Sequence, residues 1–270
     1  KYFRTNYAII LNITPDHLER HGNYKNYFNS KMQLFYSQNK KGLSFFDVNN
    51  REIKSKIKIN KLNSRVIKVN TNLKKNDIKK IKNSYFNNLN NQKNLAFVFA
   101  ISKELRLLKK NIFKALNSFK QLKYRQEIIY KNKNVVIIND SKSTSFASSE
   151  NLLKSYKNIF WIVGGLPKKG DKFLLNKKFF KNITVYVYGK NKTFFKKKFN
   201  GKVNYKLISD IKNSVLSIIK DTRITHKKSI CVIFSPAAAS FDQFKNFEDR
   251  GEYFNYIVKK TNFIKKLNEK

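Results

Sequence analysis

From Leu122 onward, short apolar runs alternate with amphipathic segments, and the connections between them are short. No other feature restricts the fold as much. Strand-length and helix-length patterns in alternation specify a mostly parallel sheet with helices on both faces. EIIYKNKNVVIIND reads as a hairpin or pair of strands, and SSENLLKSY as a helix. NIFWIVGG and ITVYVYGK read as strands. ISDIKNSVLSIIKD reads as a helix with Ser209 and Asp210 as cap candidates. KSICVIF is a further strand, and FDQFKNFEDRGEYFNYIVKK is read as a helix. In sheets of this kind ligands gather at the carboxyl ends of the strands. Three such ends carry informative loops: NDSKSTS, VGGLPKKGD and SPAAAS.

Upstream, YAIILNI (7–13), GLSFFDV (42–48) and SRVIKVN (64–70) read as strands. NYKNYFNSKMQLFYSQ (23–38) has helical spacing of Tyr24, Tyr27, Phe28, Met32 and Phe35. NLAFVFAISKEL (94–105) and KKNIFKALNSF (109–119) read as helices, while 71–92 has no usable pattern. The change of character sets a boundary between domains 1–121 and 122–270. The first is expected to be incomplete, because it opens directly on a strand. The chain starts at Lys1 and its single Met is Met32, so a longer protein is expected.

The formal net charge is +41 over 270 residues, which on its own suggests a polyanion partner. The lysines are spread through every kind of segment, alongside abundant Asn, Ile, Phe and Tyr, as an AT-rich coding sequence would produce. With no RNP-type aromatic strand and no zinc-finger spacing, nucleic-acid binding is set aside as the main role. The single Cys, Cys231, lies inside ICVIF and suits a reducing compartment. No apolar stretch approaches the ~20 residues of a membrane span, and no signal peptide opens the chain. A soluble, cytoplasmic, monomeric protein is expected.

Several motifs bear on chemistry. VGGLPKKGDKF (163–173) looks like a phosphate loop but lacks Gly-Lys-Ser/Thr, which occurs nowhere in the chain. It reads either as a flexible basic turn or as a strand-end loop offering Lys168 to an anion. INDSKSTSFASSE (138–150) places Asp140 and Lys142 among hydroxyls after a strand, either as a helix cap cluster or as an anion site. In NITPDHLERHG (12–22), His17 and His21 are four apart, but Leu18 follows the first His where a zinc protease needs Glu. Asp16 and His17 could instead face a hard cation that holds phosphate oxygens. Lys31 lies among Phe28, Met32 and Phe35 and by composition reads as a snorkelling surface lysine. In SPAAASFDQFKNFEDRG, small residues allow close approach to the backbone and Ser240 is expected near a helix N-terminus. Phe241, Phe244 and Phe247 recur at helical spacing, as core or as pocket walls.

Taken together, these segments resemble the D-glutamate-adding branch of the Mur ligases. SPAAASFDQFKNFEDRG resembles that branch's C-terminal signature, and NDSKSTS its Asn-Asp-Ser-Lys-Ala-Thr loop. ILNITPDHLERHG resembles the family's Asn-x-x-x-Asp-His-Leu-Asp-Arg-His segment, and YFNSK the stretch with its modified lysine. The resemblance implies an α/β fold: part of a central ATPase domain (1–121) followed by a Rossmann-like C-terminal domain (122–270). It implies an ATP-dependent ligase that joins D-glutamate to UDP-N-acetylmuramoyl-L-alanine through an acyl phosphate, in peptidoglycan precursor synthesis. ATP and Mg2+ are the implied cofactors. His17 would be a magnesium ligand, and Lys31, if carbamylated by CO2, would reach a second magnesium. Asn91 and Asn94 would approach adenine, and Arg125 and Asp140 would contact the nucleotide. Lys142, with a catalytic role, Thr144, Lys168, Ser240 and Phe247 would surround D-glutamate, with Phe241 alongside.

The sequence departs from the family at Asn90, which replaces a His before the adenine asparagines, and at Tyr124, where a His often precedes the Arg. With neither the UDP-binding domain nor the Gly-Lys-Ser/Thr loop in these residues, the chain alone is expected to be inactive. Two alternatives are another Mur ligase or folylpolyglutamate synthase relative, and a basic nucleic-acid-binding protein.

Overall fold

The computed structural model describes residues 5–13, 18–57, 59–87, 89–225 and 229–268. It divides at Lys120/Gln121 into two compact units. The first holds a parallel sheet of β1 (Tyr7–Ile10), β2 (Leu43–Asp47) and β3 (Arg65–Val69), in that order. Its helices are α1 (Leu18–His21), α2 (Tyr24–Tyr36), α3 (Arg51–Lys56), α4 (Lys75–Lys79), α5 (Leu89–Glu104) and α6 (Lys109–Ser118). Asn23 starts α2 by accepting the Asn26 N–H at 2.9 Å. The helix buries Tyr27, Phe28, Met32 and Phe35 with Ala8, Ile10, Phe46 and Ile53. Neighbouring residues of β2 point to opposite faces. Phe45 therefore packs on the other side, with Val69 and with Ala96 and Phe97 of α5.

The second unit is a six-stranded sheet. Its strands are β4 (Glu127–Lys131), β5 (Val135–Asn139), β6 (Ile159–Gly164), β7 (Ile183–Tyr188), β8 (Asn204–Leu207) and β9 (Ile230–Phe234). The spatial order is β4-β5-β9-β6-β7-β8, and only β4 runs antiparallel, as one arm of a hairpin with β5. The helices are α7 (Phe146–Leu153), α8 (Lys192–Phe199), α9 (Ile211–Ile224), α10 (Phe247–Lys260) and α11 (Phe263–Asn268). One face of the sheet carries Phe146 and Leu153 of α7 with Phe195 and Phe199 of α8, around the fully buried Trp161. The other carries α9, α10 and α11 through Ile211, Val215, Phe254, Ile257 and Phe263. Phenylalanine does the filling on the first face: Phe146 has Trp161, Phe173, Phe194, Phe195 and Phe199 within ring-contact range.

The expected strands and the alternating pattern are present, and Asp210 caps α9 by accepting the Asn213 N–H at 2.8 Å. Four readings need correction. The patternless 71–92 contains α4, a 3-10 turn at Ser84–Asn87 and the start of α5 at Leu89, five residues earlier than expected. The segment KTFFKKKF is a helix and NYKL an edge strand, where the sequence shows no pattern. The small helix α3 is likewise unexpected. The C-terminal helix does not begin at Phe241. Residues 241–246 form turns, closed by Gln243 and Phe244 N–H groups donating to the Ser240 carbonyl at 3.1 and 2.9 Å. Asn246, in extended backbone, accepts the Asp249 N–H at 2.7 Å and so starts α10 at Phe247.

Candidate active site

Strand β9 lies between β5 and β6, with Phe234 level with Asn139 on one side and Ile162 on the other. The loops leaving these three parallel strands therefore emerge side by side at one edge of the sheet. They are the NDSKST, SPAAAS and VGGLP loops, so the fold gathers what the sequence scatters over a hundred residues.

Each loop is fastened to its neighbours. The Asp140 N–H donates to the Phe234 carbonyl at 2.7 Å, and Leu166 and Ala239 exchange two backbone hydrogen bonds of 2.9 Å. Gly165 has φ +126°, and a β-carbon there would sit 2.5 Å from the Ala239 carbonyl oxygen and 3.0 Å from Arg250 Nη1. Only glycine fits both the backbone and the space. Below the loops runs a chain of buried hydroxyls. Ser235 Oγ donates to Asp140 Oδ2 at 2.7 Å, and Ser235, Ser149 and Ser143 follow at 2.7 Å steps. Trp161 Nε1 donates to the Ser235 carbonyl at 2.7 Å and ties this chain to the aromatic core.

Asp140 is buried, with Oδ1 accepting the Gln126 N–H at 3.0 Å and Oδ2 the Ser235 hydroxyl. Burial pushes its carboxyl up to about 7, against the opposing pull of Ser235, Gln126, Arg125 and Arg250. Its reach is thus inward, toward the backbone beside Arg125. Arg125 itself is exposed, between Tyr124 at φ 60° and Gln126 at φ 49°. Non-glycine residues enter this region rarely and at a cost. Here the cost is offset by Glu127 Oε2 accepting the Tyr124 N–H, by Asp140 accepting that of Gln126, and by the Lys142 N–H on the Tyr124 carbonyl. A side chain at Gly251 would strike the Tyr124 ring at 2.3 Å. The turn presenting Arg125 is thereby fixed from several directions.

Lys142 Nζ stands 3.6 Å from the centre of the Phe247 ring, a cation–π contact between the first loop and the start of α10. Thr144 and Lys168 are half-buried and Ser240 is buried. The segment carrying Lys168 is held to α7 by Asp171, whose Oδ2 accepts the Phe146 N–H at 2.9 Å, and by Glu150, which accepts the Leu174 N–H at 2.6 Å. Ser145 and Ser148 complete a capping box at the same helix end. The helix N-terminus that the sequence offered to a ligand anion therefore already holds Asp171. One expectation about the last loop changes: Ser240 precedes α10 by a full turn-rich segment; Phe241 in that segment is 71% exposed.

In the first unit, Lys31 is exposed with Nζ 5.4 Å from the Tyr27 ring. The Asn91 amide donates to the Tyr85 carbonyl at 2.8 Å, and Asn94 is exposed. A groove of about 680 Å3 is bordered by Tyr24, Lys25, Phe28, Tyr36, Lys56 and Lys61, none of them a predicted site residue. His17 lies outside the described residues. Among the described residues no three His, Cys, Asp or Glu side chains gather as a metal site, and no helix is long and apolar enough to cross a membrane.

Sequence reading passed over Asn139, Ser141, Ser149, Ser235 and Arg250. Asn139 Nδ2 donates to the Gly251 carbonyl and to Asn255 Oδ1, both at 2.8 Å, locking β5 to α10. Arg250 is fully buried. Its place was legible: it falls between Phe247 and Phe254 at helical spacing, on the stripe that continues to Val258, where a charged residue is out of character.

The fold is that of an α/β protein with mostly parallel sheets, three strand-end loops gathering at one edge of the second unit's sheet. Residues 1–105 match the Mur ligase middle domain. Over nearly its whole length the chain is similar to curated Mur ligases. It is 30% identical to the UDP-N-acetylmuramoylalanine–D-glutamate ligase of Rickettsia felis, over 96% of this chain and 62% of that protein. It is 31% identical to the enzyme of the same name from the Wolbachia of Brugia malayi, over 94% of this chain and 53% of that one. The chain thus spans less than two thirds of the length of these relatives. In fold it is similar to the MurF ligase of Thermotoga maritima in complex with ADP, with TM-score 0.63 at 14% identity over 95% of this chain and 63% of the other. It is also similar in fold to a bifunctional folylpolyglutamate synthase/dihydrofolate synthase of Yersinia pestis complexed with AMPPNP and Mn, with TM-score 0.62 at 12% identity over 94% and 62%.

Proposed function

We propose that this chain supplies part of the ATP-binding domain (1–121) and the D-glutamate-binding domain (122–270) of a cytoplasmic, monomeric ligase. The ligase joins D-glutamate to UDP-N-acetylmuramoyl-L-alanine for peptidoglycan synthesis. The observation that carries the reading is the convergence of the NDSKST, VGGLPKKGD and SPAAAS loops at one sheet edge, with Lys142 seated on Phe247. The sequence relatives favour this reading over a folate-linked one, which rests on fold likeness alone.

In the proposed reaction the alanyl carboxylate is first phosphorylated by ATP. The D-glutamate amine then attacks the acyl carbon, the C–N bond forms, the C–O bond to phosphate breaks, and the amine loses a proton. Lys142 and Lys168 offset the negative charge of D-glutamate and of the developing oxyanion. Ser240 and Thr144 supply hydroxyls to its carboxylates, and the Phe247 ring fixes Lys142. Each unit by itself offers polar groups to a nucleotide: exposed Asn94 and the remaining side-chain carbonyl of Asn91 in the first, and exposed Arg125 in the second. Asp140, with its oxygens engaged inside the chain, serves the nucleotide side by holding the Arg125 turn. Mg2+ would be held at His17 and at a carbamylated Lys31.

Titration calorimetry with D-glutamate, L-glutamate and other amino acids checks the reading. D-glutamate is expected to bind, and Lys142→Gln and Lys168→Gln each to weaken it roughly tenfold, the worth of one charge-assisted hydrogen bond. Preference for L-glutamate would move the assignment to the folate-linked relatives. Binding of no amino acid would overturn it.

A further inference from the structure

Among the described residues Arg250 is the largest charged side chain that is buried, and no carboxylate lies within salt-bridge distance of it. A buried charge of this kind costs stability, and an apolar side chain of similar size would fill the space at least as well. Its hydrogen bonds point elsewhere. Nε donates to Ser141 Oγ at 3.0 Å and Nη2 to the Ser141 carbonyl at 2.7 Å. Ser141 Oγ in turn donates to the Phe247 carbonyl at 2.8 Å. The three groups close a ring: Arg250 grips Ser141, and Ser141 grips the turn of α10 from which Arg250 projects. Nη1 lies against Gly165 and close to the Tyr188 hydroxyl, neither of these two polar groups completing a hydrogen bond of good geometry. One side chain therefore touches the loop after β5, the loop after β6 and the helix after the third loop.

The consequence falls on the next residue. With Ser141 pinned to the Phe247 carbonyl, Lys142 leaves the loop at a place from which its Nζ reaches the Phe247 ring. We infer that Arg250 is a positioning residue: through Ser141 it sets Lys142 against Phe247 and so shapes the amino-acid site. The link to D-glutamate rests on the function proposed above, whereas the placement of Lys142 does not.

The test uses the whole chain in two variants. Ser141→Ala removes only the shared hydroxyl, and Arg250→Met removes the guanidinium while keeping a long side chain. A third, Ile218→Val, trims a buried contact on α9 as a stability control. The readouts are the ring-shifted Lys142 side-chain NMR signals, assigned by their loss in Lys142→Gln, and the D-glutamate dissociation constant. In Ser141→Ala the Lys142 signals are expected to return toward those of a free lysine, and affinity to fall roughly tenfold, the worth of one lost hydrogen bond. Arg250→Met is expected to do the same more strongly. The control should lower the melting temperature and leave both readouts in place. If Arg250→Met does not fold, Ser141→Ala decides. Wild-type Lys142 signals and affinity in Ser141→Ala would overturn the inference. Shifted signals in a chain that never binds D-glutamate would uphold the positioning role and overturn the D-glutamate reading alone.

Discussion

The predicted site residues of the two units are held in opposite ways. In the second unit they stand on loops, and the loops are wired to one another by buried polar groups: Asp140 to Ser235, Ser141 to Phe247 and Arg250, Leu166 to Ala239. In the first unit those that are described stand on helices α2 and α5, with Lys31 and Asn94 exposed and Asn91 tied by one amide hydrogen bond to the Tyr85 carbonyl. The Lys31 ammonium lies 5.4 Å from the Tyr27 ring, one turn back on its own helix. The contrast teaches where preorganisation is stored. A loop site needs polar anchors beneath it, and each anchor is a place where the site can be broken from below. Exposed residues on a helix, such as Lys31 and Asn94, need fewer, and they can be changed with little effect on the fold.

The largest effect should come from Asp140. Its carboxyl is pushed up to about 7 from the usual 3.8 by burial. The folded chain then binds more protons than the unfolded chain between these values, so stability falls as pH rises through that window. Each tenfold difference in proton affinity is worth about 1.4 kcal/mol, so the loss reaches up to about 4 kcal/mol by pH 8. Asp140→Asn should flatten this dependence. The chain has a single tryptophan, buried Trp161, so its fluorescence during urea unfolding reports the second unit. A urea midpoint for wild type that is constant from pH 4.5 to 8 would show that Asp140 is not strained by its burial.

Gly165→Val should cost about 3 kcal/mol on the same probe, from an unfavourable φ together with collision against the Ala239 carbonyl. Phe247→Leu comes next. It keeps an apolar contact and removes the ring under Lys142, so a loss of only about 0.5–1 kcal/mol is expected, read as weaker D-glutamate binding with an unchanged urea midpoint. A midpoint that moves as far as the affinity would mean the ring serves the fold more than the site.

These contrasts also mark how far the sequence can be read. The alternation after Leu122 carried the strands, because period and length are local properties. It did not carry β8 or α8, since NYKL and KTFFKKKF are too short and too lysine-rich to show a period. The loops NDSKST, VGGLP and SPAAAS were legible as strand ends. Their adjacency was not, because β9 comes last in sequence and inserts between β5 and β6. The serine chain was invisible for the same reason: Ser143, Ser149 and Ser235 meet only once that insertion is made. The start of α10 is hidden because Phe241, Phe244 and Phe247 imitate a helical stripe, while the Asn246 cap overrides it. Lys31 stands out by resemblance alone; no rule of composition or spacing separates it from the other exposed lysines.

The smallest effect is the most informative about the first unit. Lys31→Gln should change stability by no more than about 0.5 kcal/mol, since the side chain is exposed and its ring contact is weak. Its effect should be chemical instead. An amine can add CO2 to give a carbamate, which turns a cation into a carboxylate; an amide cannot. Intact-mass and 13C NMR measurements in bicarbonate at pH 8 should therefore show a carbamate signal in wild type that is absent from Lys31→Gln, with unfolding curves that superimpose. A carbamate that survives Lys31→Gln would place the modification on another lysine. A clear shift in the unfolding curve would show that α2 relies on Lys31 for its fold, and the contrast between a wired loop site and a free helix site would fail at its simplest point.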